Sequence, residues 1–203
     1  MKKAVIISLS LAALILLTAC GRKNEQEETP GLSLFNTVCS ADEALAAAKV
    51  GDAVAFEGLR LSSGQEVWED FYAKVQEGEP ASVVCAYYYT LDRDRVSEEL
   101  WLEEKDKYPV LFFYLTEYDG ESFTLTVRQS DKTEPERWES FKYLIHNTED
   151  ANKGALFSYA DVYFLADNPE LTWAEIQRRL LSSQLIEDGV DGRSSVVYHR
   201  LVD

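Results

Sequence analysis

Asp119-Gly120 constrains this chain more than any other pair of residues in it. It lies between two runs rich in β-formers, Val110 to Tyr118 and Ser122 to Gln129. Asp-Gly supplies positive φ angles at little steric cost, so the runs are predicted to fold back as an antiparallel hairpin with a two-residue type I′ turn. In the second arm Phe123, Leu125 and Val127 alternate with Thr124, Thr126 and Arg128. That alternation predicts one face on a core and one face in water. Ala81 to Leu91 is apolar at both parities, the pattern of a central strand. Ala53 to Glu57 reads as a short strand, Phe141 to His146 and Leu156 to Leu165 as a pair, and Val196 to Val202 as the last strand.

Three helices carry start and stop signals. Ser40 and Glu43 fit a capping box before the Ala-rich stretch 41–49, and Gly51 follows it. Ser63 and Glu66 fit another before 64–77, where Val67, Trp68, Phe71, Tyr72 and Val75 recur at helical spacing and Gly78 and Pro80 end the pattern. Thr172 and Glu175 open 173–182, with Leu171 placed to staple onto Ile176 and with Trp173, Ile176 and Leu180 as its apolar stripe. The stretch 92–107 reads either as a charged helix or as an irregular excursion. Strands come in a run and do not alternate strictly with helices, which rejects a doubly wound parallel sheet. The expected fold is α+β: a mainly antiparallel, twisted sheet of about six strands, with two or three helices chiefly on one face.

The first twenty residues follow a different logic. Met1-Lys2-Lys3 leads into the apolar run Ala4 to Leu16 and then Leu17-Thr18-Ala19-Cys20. A spanning helix needs about 20 apolar residues, and this run is shorter. A basic start, a short apolar middle and a small-residue cleavage site make a secretory signal. The cysteine directly after Ala19 resembles the lipobox of bacterial lipoproteins. The resemblance implies cleavage between Ala19 and Cys20 and a diacylglyceryl thioether on Cys20. It also implies a protein held on the outer face of a cell membrane, with a lean toward Gram-positive envelopes. Residues 1–19 are then the signal, 20–36 the lipidated cysteine and an acidic flexible tether, and 37–203 one globular domain. As a coil the tether would reach about 20–25 Å.

Charge and chemistry narrow the function further. The formal net charge of −16 grows more negative once Lys2 and Lys3 leave, and such a surface repels nucleic acid and anionic headgroups. The chain has two histidines, His146 and His199, far apart in sequence, and no metal-ligand spacing. It lacks the G-x-S-x-G, P-loop and dinucleotide-binding patterns. A Cys85-His146 or Cys85-His199 pair is weighed against plain packing of a strand cysteine, and packing is favoured. Asp92 with Asp94, and Asp188 with Asp191, faintly resemble calcium loops, yet Asp and Gly in surface turns need no metal. No cofactor or metal is expected. Cys39 and Cys85 would sit in an oxidising compartment, which leaves open either a disulfide or two separate thiols. Aromatics crowd one stretch, and strand alternation sends neighbours to opposite faces. Tyr87, Tyr89, Trp101, Tyr108 and Tyr114 are therefore the candidate binding face, unless a second layer covers them. The expectation is a monomeric, non-enzymatic binding domain whose partners are the membrane, through Cys20, and a protein or cell-wall ligand. The alternative is an envelope hydrolase with a carboxylate pair or a triad that the sequence does not reveal.

Overall fold

The computed structural model describes residues 31–150, 159–176 and 193–202. The signal, most of the tether, Cys20 and the acidic loop 188–192 lie outside the described residues. Strand β3 (Ala81–Tyr89) organises the rest. It pairs in parallel with β1 (Val54–Glu57) and antiparallel with β4 (Val110–Tyr118). With β2 (Arg60–Ser63), β5 (Phe123–Gln129) and β6 (Arg137–Phe141) they form a six-stranded sheet in the order β2-β1-β3-β4-β5-β6. A second sheet holds β7 (Tyr143–Asp150), β8 (Tyr159–Ala166) and β9 (Ser194–Val202), all antiparallel. The class is α+β, with a mixed but mostly antiparallel main sheet.

The helices divide between the two faces of the main sheet, because β3 is apolar on both. Val84 and Ala86 meet helix α2 (Ala41–Val50) through Ala44, Leu45 and Ala48. Val83, Cys85 and Tyr87 point the other way, into a core filled by Trp68 and Phe71 of helix α3 (Gln65–Gln76) and by Tyr163, Val197 and Tyr198 of the second sheet. The Ser40–Glu43 capping box forms as expected.

The box at Ser63 does not form. Residues 60–63 are consumed by β2, which the polar sequence Arg60-Leu61-Ser62-Ser63 concealed, and α3 starts from Gly64 at φ 80° with no side-chain cap. The antiparallel hairpin β4–β5 forms, but with Tyr118 opposite Phe123, two residues beyond the partner a two-residue turn would give it. Its loop is 119–122, longer than a type I′ turn, and the Asp119 carboxylate closes it by accepting from the N–H groups of Glu121 and Ser122 at 2.8 Å each. Those two bonds, Ser122 first, hold Asp119 below the usual carboxylate range.

Two further expectations change. Residues 31–36, placed in the tether by composition, belong to the domain: they form Gly31 and the short helix α1 (Leu32–Phe35), whose Phe35 is buried. The face of β5 assigned to water is dry at Thr126 and Arg128, because α1 and the segment after it cover that end.

Beyond the second sheet lies a smaller core of Val162, Phe164, Leu171 and Ile176. Thr172 and Glu175 make the expected capping box, with Thr172 Oγ1 donating to Glu175 at 2.7 Å and Glu175 N–H donating to Thr172 Oγ1 at 3.3 Å. A helical turn follows over 173–176. Leu171 and Ile176 are both buried there, as a staple requires. Ile176→Ala is expected to cost about 2–5 kcal/mol, through lost methyl burial plus a cavity, read as a lower urea midpoint. An unchanged midpoint would mean that this helix turns Ile176 outward.

Candidate functional site

β3 sends its three consecutive tyrosines to three environments. Tyr87 is 4% exposed, stacked on Phe56 with centroids 4.5 Å apart, and its hydroxyl donates to the Val197 carbonyl at 2.9 Å. Burial, the largest cause, raises its pKa well above the ordinary value. Tyr87 is thus a core residue, which corrects its place among the face candidates. Tyr88 faces α2 and donates to Asp42 Oδ1 at 2.7 Å; that bond and burial push it up to about 12. Tyr89 ends the strand at the sheet margin and is 36% exposed.

Tyr89 is not alone there. Phe112 lies edge-on to it at 6.4 Å, and Tyr114 lies edge-on to Tyr87 at 4.8 Å. Both are half-buried and share the Tyr87 side of the sheet. The Arg137 guanidinium sits 5.9 Å from the Tyr114 ring centroid. Arg137 is itself held by Glu139 at 2.9 Å and donates to Ser195 Oγ at 3.0 Å. Burial raises the pKa of Tyr89 and of Tyr114, so both phenols stay neutral hydrogen-bonding groups at physiological pH. The result is an aromatic strip, Tyr89-Phe112-Tyr114, ending in one cation. Phe112 and Arg137 were not among the sequence-derived candidates. Arg137 was hidden because β6 itself was not predicted.

Trp101 and Tyr108, the remaining candidates, sit on the excursion between β3 and β4. Both are half-buried, and among the described residues no ring contact joins them to the strip. Trp101 lies under the Arg93 guanidinium at 5.6 Å.

Cys39 and Cys85 are both free thiols. The reason is topological. Cys85 lies in the core on the α3 side of the sheet, while Cys39 packs on the α2 side. Burial pushes the Cys85 thiol far up, which suppresses its nucleophilic form. Neither histidine bonds to it. His199 bonds the Leu59 carbonyl at 3.1 Å, stacks on Phe56, and is held below its ordinary pKa by burial.

His146 is the more chemical of the two histidines. Its Nε2 lies 2.6 Å from Asp161 Oδ1, and Arg200 donates to the other carboxylate oxygen at 3.1 Å. Asp161 is buried, and the His146 ring stacks on Tyr163 at 4.0 Å. A carboxylate that orients an imidazole is half of a general-base device. No hydroxyl or thiol hydrogen-bonds to His146 among the described residues.

A groove of about 550 Å³ opens near the start of β3, between Asp70, Phe71 and Lys74 of α3 and the Glu117–Asp119 end of β4. Its carboxylates belong to the surplus that makes the whole chain acidic. No group of three or more His, Cys, Asp or Glu side chains is arranged to hold a metal among the described residues. Asp92, one of the faint calcium candidates, instead accepts from Asp94 N–H and pairs with Arg95. Among the described residues no helix is long and apolar enough to cross a membrane. In comparisons with known proteins no family model matches the chain, and no curated protein and no solved structure matches it significantly.

Proposed function

We propose that the chain is a membrane-anchored extracytoplasmic lipoprotein whose domain binds a ligand without transforming it. The anchor rests on Met1-Lys2-Lys3, the apolar run to Leu16 and Leu17-Thr18-Ala19-Cys20. A diacyl anchor carries two chains, enough for durable attachment where one chain is marginal. The binding role rests on one observation. Where helices and the second sheet cover most of the main sheet, the Tyr89-Phe112-Tyr114 strip keeps exposed surface beside Arg137. Rings with polar tips suit a sugar face or an extended peptide.

Two measurements test the two halves. Cys20→Ser is expected to leave an uncleaved precursor without diacylglyceryl, read by intact mass of the membrane fraction. Retention of two acyl chains on the variant would defeat the anchor. For the domain, a cell-wall muropeptide digest and a random peptide pool serve as probes, read by amide chemical shifts. Shifts confined to Tyr89, Phe112 and Tyr114, and lost in Tyr89→Ser, support the reading. Silence at the strip with both probes counts against it.

The buried Asp161 holding His146 favours a second reading, a hydrolase of the cell envelope. Turnover of either probe that disappears in His146→Ala would establish it in place of the first.

A further inference from the structure

The excursion that leaves β3 at Tyr89 and re-enters the sheet at Val110 has an unusual construction. Tyr89 and Val110 are cross-strand neighbours, so both ends of the excursion rise from the margin that carries the aromatic strip. Its helix α4 (Glu98–Glu104) buries no residue. Local contacts shape it instead. Ser97 Oγ caps it by accepting from Leu100 N–H at 3.2 Å, Arg93 pairs with Glu98 and lies over Trp101, and Lys107 pairs with Glu104 at 2.7 Å. A helix this short is marginal in water unless something packs on it.

Its exposed residues are the wrong ones for a solvated helix. Leu100 is 42% exposed and Leu102 is 57% exposed, with Trp101 half-buried between them. Three successive helical positions span about 200° of the circumference, so these side chains form a ridge that no single face of this chain can cover. The ridge is fenced by Glu98, Glu99, Glu103 and Glu104. Residues 92–107 hold seven acidic and four basic side chains. Glu99 and Glu103 make no ion pair among the described residues.

We propose that this excursion is a docking arm for a cationic, apolar segment of another protein, with Leu100 and Leu102 entering its apolar surface and Glu99 and Glu103 meeting its Lys and Arg side chains. The proposal rests on the binding reading above and gives it a partner class. A second copy of this chain fits poorly, because it brings the same acidic fence, and an anionic membrane is repelled for the same reason. The arm's own caps and ion pairs bias it toward this shape, and a partner packing on it supplies the rest, which lowers the ordering cost of association.

The probe is a helical peptide built of Leu and Lys, titrated into the full chain and followed by tryptophan fluorescence and calorimetry. A Leu–Glu peptide with the same apolar face is the counter-probe. The Leu–Lys peptide is expected to bind and the Leu–Glu peptide to fail. Leu100→Ser/Leu102→Ser is expected to weaken the Leu–Lys peptide by about tenfold or more with an unchanged thermal midpoint. Binding that survives the double substitution would be bulk electrostatics and overturns the proposal, as does equal binding of the Leu–Glu peptide. A marked fall in the midpoint would mean that the arm packs on the chain itself, and dimerisation lost in the variant would mean a second copy; either overturns it. Loss of peptide binding in Tyr89→Ser, but not in the arm variant, removes the arm and leaves the strip reading standing.

Discussion

Arg128→Met is expected to cost the domain about 3–5 kcal/mol, the range for removing one member of a buried charged network. Arg128 is 3% exposed, yet no carboxylate touches it. Its guanidinium donates to five backbone carbonyls: Phe35, Thr37 at 2.9 Å, Gln129 at 3.0 Å, Ser130 at 3.3 Å and Lys132. The rings of Phe35 and Phe113 flank it at 5.3 and 5.4 Å. Met fills much of the volume but withdraws the donor from the Phe35, Thr37 and Lys132 carbonyls, while Gln129 and Ser130 keep the N–H groups of Lys132 and Cys39; a buried unsatisfied group costs about 1–3 kcal/mol. Burial lowers the Arg128 pKa, though a guanidinium stays charged at any physiological pH. Arg128→Lys keeps the charge but not the planar fork, and is expected to recover less than half of the loss. Urea midpoints give the energies. Limited proteolysis should locate the first cut of the Met variant within 31–40, since these carbonyls tie that segment to β5. A Met variant that melts with the parent would show the carbonyls to be hydrated.

Gly64→Ala is expected to cost at least about 3 kcal/mol. Two effects add. Gly64 has φ 80°, which L side chains rarely adopt, and a Cβ there would lie 2.2 Å from the Ala53 carbonyl oxygen and 2.8 Å from Val54 Cα. Both clashing groups are backbone, at the first residue of β1 and the one before it, so neither can swing aside. Gly58→Ala separates the two causes. Gly58 has φ 60° and nothing within 4 Å of its added Cβ, so only the conformational penalty of about 1 kcal/mol applies. Equal losses at the two positions would refute the close approach of α3 to β1.

These two residues also mark what the sequence could and could not disclose. Signals confined to a few neighbouring residues were legible: the Asp119-Gly120 hairpin, the Ser40–Glu43 and Thr172–Glu175 boxes, and the two-sided apolar character of β3. Each depends on backbone geometry that the local residues set themselves. Arg128 was misjudged because alternation says which face a side chain points to and not what arrives to cover that face. The cover is α1, drawn from a stretch whose composition matched a tether. Gly64 was passed over for Ser63 because a capping box is a local pattern, whereas the demand for glycine comes from β1, folded up behind it. The aromatic cluster divided for the same reason. Tyr89 and Tyr114 stay near the surface, Tyr87 goes under β9, and Trp101 and Tyr108 go out on the excursion. Only the placement of β9 and of the excursion decides which is which.

That placement of β9 bears on the order in which the molecule can be completed. Val197 accepts from Tyr87, His199 reaches Leu59, and Tyr198 stacks on Trp68 at 4.5 Å, so a strand made late roofs over side chains made much earlier. Until it arrives, Phe56, Trp68 and Tyr87 lack their lid, and contacts spanning 110 and 140 residues are slow to close. A nascent chain of this kind must stay open, with its most adhesive surface bare, until β9 has been made.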